Sequence, residues 1–178
     1  FVDGLEINMR HGAERQFQPI AEDAQQIVYD LGGGTSESQL GGIRVNFIPK
    51  DGGNIFSGNF LSNFTNDMFQ SANLSDDLVA RGLTANNINK IIKIWDASGS
   101  LGGPLKQNKL WFFSSQRWWN SSNFVAASFE NATPDSFRYT PDLTRPGIND
   151  YVNHTHNIRL TWQISEKNKI RASYDQQF

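Results

Sequence analysis

From residue 154 to residue 165 the chain alternates strictly. His154, His156, Ile158, Leu160, Trp162 and Ile164 take the even positions, and Thr155, Asn157, Arg159, Thr161, Gln163 and Ser165 take the odd ones. Successive side chains of an extended strand point to opposite faces, so a period of two over that length dictates a strand with one apolar and one polar face. After Glu166-Lys167-Asn168-Lys169 the alternation resumes, with Ile170, Ala172, Tyr174 and Phe178 on one face and Arg171, Ser173, Asp175 and Gln177 on the other. Two strands joined by so short a polar link predict an antiparallel hairpin.

The design recurs upstream. Trp95, Ala97, Gly99 and Leu101 alternate with Asp96, Ser98 and Ser100, and Lys106-Gln107-Asn108-Lys109 nearly copies the later turn. Leu110 to Trp119 follows with a less regular pattern. After Asp51-Gly52-Gly53-Asn54, Phe56, Gly58, Phe60 and Phe64 alternate with Ser57, Asn59, Asn63 and Thr65. About five strands result. Their other ends are joined by long polar segments, 66–90 and 122–150, of a length that usually marks function or mobility. Within the first, Ser75-Asp76-Asp77-Leu78 to Arg81-Gly82 predicts a short helix, with Ser75 as N-cap and Gly82 as terminator. The second holds Pro134, Pro141 and Pro146 and reads as loop.

Composition narrows the function classes. Lys+Arg number 16 against 18 Asp+Glu, a formal charge of -2, which lacks the basic excess of a nucleic-acid binder. There is no cysteine, so thiolate metal sites, cysteine nucleophiles and disulfide scaffolds are excluded. Charged residues make up only 19% and aromatics 12%, a balance that suits a sheet-rich protein. No apolar run reaches the roughly 20 residues of a membrane helix. The chain opens on Phe1 and stops at Phe178 within a strand-like segment, so both ends read as cuts in a longer polypeptide.

Tight turns at one end, long loops at the other and strands with one apolar face form the pattern of an outer-membrane barrel. A sheet in lipid must close on itself to pair its backbone groups. Tyr151 to Ile164 spans roughly 45 Å, or roughly 32 Å of height at a tilt of about 45°, enough for the hydrocarbon core. Trp95, Trp118, Trp119, Tyr151 and Tyr174 are then girdle candidates. The alternation does not say which face is outside, so a β-sandwich or lipocalin-like barrel with its apolar face inward stays open.

Residues 20–50 sharpen the expectation. Ala24-Gln25-Gln26-Ile27-Val28 leads to Gly32-Gly33-Gly34-Thr35-Ser36-Glu37, then Gly41-Gly42, then Val45-Asn46-Phe47-Ile48-Pro49-Lys50. With Val2-Asp3-Gly4-Leu5 before it, this order resembles the end of the plug domain of a TonB-dependent receptor. Asp51 to Gly58 resembles the step from plug to first barrel strand, and Ser100 to Leu105 with Lys109 to Phe113 resembles a barrel hairpin of the subgroup with a carboxypeptidase-regulatory-like N-terminal domain. The triple glycine departs from the usual pattern, and five strands fall short of the eight of the smallest bacterial barrels.

The resemblance implies a mainly β fold: a partial antiparallel transmembrane β-barrel of about five strands, residues 51–178, preceded by the C-terminal part of a small α+β plug, residues 1–50. Loops 66–90 and 122–150 would be extracellular. It implies part of an outer-membrane receptor that binds a scarce nutrient and imports it into the periplasm by energy-coupled plug rearrangement. The implied partners are the TonB complex, a small nutrient ligand and outer-membrane lipid, with no cofactor and no nucleic acid. A structural or adhesive barrel protein, or a soluble β-sandwich or barrel binding protein, is the alternative.

Candidate site residues follow that frame. Gly41, Gly42, Gly52 and Gly53 are plug-to-barrel glycines, where backbone approaches closely. Asn59, Asn63, Arg117, Arg159 and Gln163 are lumen-facing candidates. Trp95, Trp118, Ile158, Leu160, Trp162 and Tyr174 are lipid-facing or girdle candidates. Catalytic chemistry finds no constellation: Asp3, Glu6, Asp23 and Glu37 have no set separation, and no positioned histidine accompanies Ser36. His154 and His156 share a face, but no third metal ligand accompanies them, so no metal site is expected.

Overall fold

A computed structural model describes residues 1–2, 20, 23–32, 43–71, 73–84 and 88–178. Seven strands lie among these described residues: β1 Ala24–Asp30, β2 Arg44–Pro49, β3 Ser57–Asn66, β4 Lys90–Lys106, β5 Leu110–Asn131, β6 Pro141–Ser165 and β7 Asn168–Gln177. One short helix, α1 Asp76–Ala80, and a 3-10 turn at Asp67–Phe69 lie between β3 and β4. The strands form two sheets, β1-β2 and β3-β4-β5-β6-β7.

The anticipated partial transmembrane barrel with an α+β plug is corrected here. Among the described residues the five-stranded sheet ends in β3 on one side and β7 on the other, and the two-stranded sheet shares no strand pairing with it. Neither sheet closes, and closure is what a spanning sheet needs to pair its edge N–H and C=O groups. The described part of residues 1–50 holds β1 and β2. No helix among the described residues is long and apolar enough to cross a membrane, a statement about helices alone.

The chain divides into two compact units. The first comprises residues 1–60, 98–117 and 155–178, and the second comprises 61–97 and 118–154. Strands β3 to β6 contribute a segment to each.

In the first unit β6 and β7 form the expected hairpin. Its register pairs Ile158 with Tyr174, Leu160 with Ala172 and Trp162 with Ile170, and a one-residue irregularity follows between Gln163 and Ser165. Paired residues share a face, so period two places these apolar side chains together. β4 and β5 meet through a turn in which the Lys109 N–H donates to the Lys106 carbonyl at 3.1 Å and Asn108 takes φ of 57°. Asparagine tolerates this left-handed geometry better than most residues. β1 and β2 pair antiparallel from Ala24↔Pro49 to Asp30↔Arg44, and Val2 adds a parallel bridge to Phe47.

In the second unit the Ser75 hydroxyl caps α1 by accepting from the Leu78 N–H at 3.4 Å, and Gly82 ends the turn at φ of 92°. These are the roles expected of a capping serine and a terminating glycine. The connection 122–150 is shorter than anticipated. β5 runs on to Asn131 and β6 restarts at Pro141, so irregular structure spans only 132–140. Prolines at 141 and 146 removed donors without ending the strand, one at its first residue. Asn131 organises the short loop by accepting from the Thr133 N–H at 3.2 Å and the Thr140 N–H at 2.9 Å.

Candidate functional site

The two faces of the β6–β7 hairpin differ sharply. On the polar face Thr155, Arg159 and Thr161 are buried, Arg159 to 6% and Thr161 to 2% exposure. On the apolar face Ile158, Leu160 and Trp162 are exposed at 46%, 41% and 46%, and Ile170 and Tyr174 at 52% and 61%. Among the described residues only Ile20 and Phe113 are buried hydrophobics, against nine buried polar or charged residues. The hydrophobic effect ordinarily produces the reverse distribution.

What covers the polar face is the segment that precedes β3. Asp51 is the hub. Its Oδ1 accepts from Arg159 Nη1 at 3.3 Å and from Thr161 Oγ1 at 3.1 Å, and its Oδ2 accepts from Arg171 Nε at 3.0 Å. A guanidinium as buried as Arg159 keeps its charge, so its burial is costly without a charge partner and hydrogen bonds, and Asp51 supplies both. Register explains the convergence: Thr161 pairs with Arg171 and Arg159 with Ser173, so these side chains rise from one face of adjacent strands. The Ser115 hydroxyl donates to the buried Asp23 carboxylate.

Glycine at position 52 lets this segment lie against β5. A Cβ there would collide with the Phe112 backbone carbonyl. Gly53 has open space around its Cα. Asn54 then ties down the β4–β5 turn: its Oδ1 accepts from the Asn108 N–H at 2.8 Å and from Trp111 Nε1 at 2.8 Å. The remaining void between β1, β2 and the polar face is about 30 Å³ and touches Ile20, Asp23, Phe47 and Thr155. That volume suits about one water molecule, so the face is closely packed where β1 and β2 lie on it, while Arg171, Ser173 and Asp175 of β7 are exposed.

The other anticipated site residues fall as follows. Asn59 accepts from the Ser100 hydroxyl on an exposed surface. Asn63 is exposed. Arg117 is half-buried in the first unit. Gln163 donates from Nε2 to the Ser165 carbonyl at 2.7 Å, so it serves the turn of its own hairpin. Trp95 is half-buried and Trp118 exposed, both in the second unit. Gly41 and Gly42, with Asp3 to Leu5, lie outside the described residues. His156 bonds through Nδ1 to Gln116 Oε1 and sets its ring edge to Phe178 at 6.0 Å. Among the described residues no three His, Cys, Asp or Glu side chains cluster as a metal site would require.

Sequence reasoning missed Asp51 as the hub. Its neighbours Gly52 and Gly53 drew the reading towards turn geometry, and the carboxylate's partners lie more than 100 residues away. The odd-position polar run from Thr155 to Gln163 was the available signal, since a buried arginine on that face demands an acid opposite.

No family model, no curated protein and no solved structure matches this chain. The resemblance to TonB-dependent receptors is therefore corrected, together with what it implied. The sheets are open and no relative stands behind the motifs, so nutrient import by a plug-gated receptor and residence in the outer membrane are withdrawn. What the fold defines is an open-sheet β protein whose β6 strand buries polar side chains on one face and leaves apolar ones bare on the other.

Proposed function

We propose that the chain is a non-catalytic β-sheet interaction module, working through the apolar face of β6–β7 packed on the same face of a second copy. The observation that carries this is the exposure of Ile158, Leu160, Trp162, Ile170 and Tyr174 on one charge-free surface, while Thr155, Arg159 and Thr161 on the opposite face of β6 are buried. Contiguous apolar surface of this kind marks an interaction site. Two sheets pack face to face about 10 Å apart by interdigitating large and small side chains. Here Trp162 and Tyr174 flank Ala172 across the register, which provides both sizes. A charge-free patch on a chain of net charge -2 meets little repulsion from its own copy.

The apolar run on β6, Ile158 to Ile164, is about 20 Å long at strand rise, short of the roughly 30 Å hydrocarbon core. That length favours a protein surface. The reading is non-catalytic because the charged groups assembled in the first unit, Asp51 with Arg159 and Arg171, are engaged with one another. The near-neutral charge leaves nucleic acid without a footprint.

Sedimentation velocity over a concentration series tests this. A discrete dimer is expected, which Leu160→Lys and Trp162→Lys convert to monomer with unchanged far-ultraviolet circular dichroism. A concentration-independent monomer would overturn the proposal. So would flotation with neutral phosphatidylcholine vesicles that the same substitutions abolish, because lipid would then be the true occupant.

A further inference from the structure

The second unit contains a cleft of about 390 Å³, bordered by Ile88, Lys90, Phe124, Phe129, Leu143 and Pro146. Its size lies within the 300–1,000 Å³ range typical of small-molecule sites, which are mostly apolar with a few placed polar groups. Lys90 begins β4, the phenylalanines belong to β5, and Leu143 and Pro146 to β6. On a regular strand, adjacent residues would face opposite ways. Phe124 and Val125 both border the cleft, as do Ser128 and Phe129. The break in alternation coincides with Ala127, which takes φ of 54°, a left-handed value that turns the strand. Asn89 holds this irregular stretch, its Oδ1 accepting from the Ala126 N–H at 2.7 Å.

Lys90 is half-buried and forms no ion pair with any described residue. It also borders a smaller hollow of about 210 Å³ with Asp67 and Gln70. The Gln70 amide is already engaged, accepting from the Ile91 N–H at 2.8 Å and donating to the Asn89 carbonyl at 3.3 Å. In the first unit the comparably placed charge, Arg159, is matched by Asp51. In the second unit the lysine faces aromatic and aliphatic walls on the side of the larger cleft, and Asp67, on the side of the smaller hollow, forms no ion pair with it. An ammonium at the rim of an apolar cleft lacks only an anion whose remaining surface is apolar.

We propose that this cleft is a binding site for a small amphipathic anion, an aryl- or alkyl-carboxylate whose carboxylate pairs with Lys90 and whose apolar body lies against Phe124, Phe129 and Leu143. Gly147 shapes the wall, because the Ser128 hydroxyl lies 2.5 Å from where a Cβ at 147 would stand. The site is built from residues of the second unit alone and does not depend on the assembly proposed for the β6–β7 face.

The test uses the intact chain and three probes of one shape: 3-phenylpropanoate, 3-phenylpropanol and 3-phenylpropylamine, titrated by calorimetry. Saturable one-site binding of the carboxylate is expected, with affinity about 10-fold above the alcohol and no saturable binding of the amine. Lys90→Met should bring the carboxylate down to the alcohol's affinity, and Lys90→Arg should restore it. Leu143→Trp should fill the cleft and abolish binding of both. Equal binding of all three probes, affinity unchanged in Lys90→Met, or no saturable binding of the carboxylate would each overturn the proposal. Leu160→Lys, on the bare sheet face, serves as the control and should leave the titration unchanged. If it abolished binding, the probe would sit on that face and the cleft assignment would fall.

Discussion

The two units handle a partly buried cation in opposite ways. In the first, Arg159 rises from the polar face of β6 and meets Asp51, with Thr161 and Arg171 completing the same carboxylate's bonds. In the second, Lys90 borders a cleft of about 390 Å³ and forms no ion pair with a described residue, although Asp67 shares the smaller hollow beside it. A charge that is fully matched contributes to architecture, because any other ligand would have to displace its partner. A charge left facing an apolar hollow keeps its electrostatic attraction for something outside the chain.

The largest test of this contrast removes the hub. Asp51→Ala leaves the Arg159 guanidinium buried without its carboxylate, and breaking such a pair costs about 4 kcal/mol. Urea denaturation should show that loss, and native-state hydrogen exchange should show faster exchange in 155–178. A loss below 1 kcal/mol would mean the polar face is not held by this network. By contrast Lys90→Met, with no pair to break, should leave the denaturation midpoint nearly unchanged.

Gly52→Ala comes next. Its Cβ would strike the Phe112 carbonyl, so the covering segment must shift, at a cost of about 3 kcal/mol by the measure of overpacked sites. Gly53→Ala, with open space, is the matched control and should change stability by less than about 0.5 kcal/mol. Equal effects at both positions would show that close approach is not what position 52 provides.

A smaller effect is expected at α1. Ser75→Ala removes the oxygen that accepts from the Leu78 N–H and should cost about 1 kcal/mol, visible as faster amide exchange across 76–82. Ser75→Asp should retain the cap.

The smallest effect is electrostatic. Hydrogen bonds from the Thr144 hydroxyl, at 2.6 Å, and from its N–H, at 3.0 Å, hold the Asp142 carboxyl below its usual range, with Arg145 adding attraction. A carboxylate whose folded value is depressed contributes stability above its unfolded value and loses it as pH falls through the folded value. Thr144→Val should therefore raise the Asp142 midpoint in a carboxyl-detected NMR titration and shift this acid loss to higher pH. An unmoved midpoint would show that the hydroxyl is not the chief cause.

The β6–β7 hairpin was legible before any coordinates, because a period of two over twelve residues admits no helix and the four-residue polar link admits little but a tight turn. So was the Ser75 cap, whose chemistry is local. The length of the 122–150 connection was misjudged, since proline forbids a donor but does not forbid an extended backbone. The cleft at Lys90 left no trace in the pattern, because it depends on a left-handed Ala127, a conformation rare for alanine.

Alternation by itself determined that these strands have two unlike faces, for side-chain direction is a property of the extended backbone. Which face would be covered, and by what, was decided only in three dimensions. Asp51 lies 108 residues from Arg159 and 120 from Arg171, and no local rule brings it there. Closure was equally a tertiary matter: an edge strand and a paired strand can share one sequence pattern, and only the strand order, which among the described residues ends at β3 and β7, distinguishes an open sheet from a barrel.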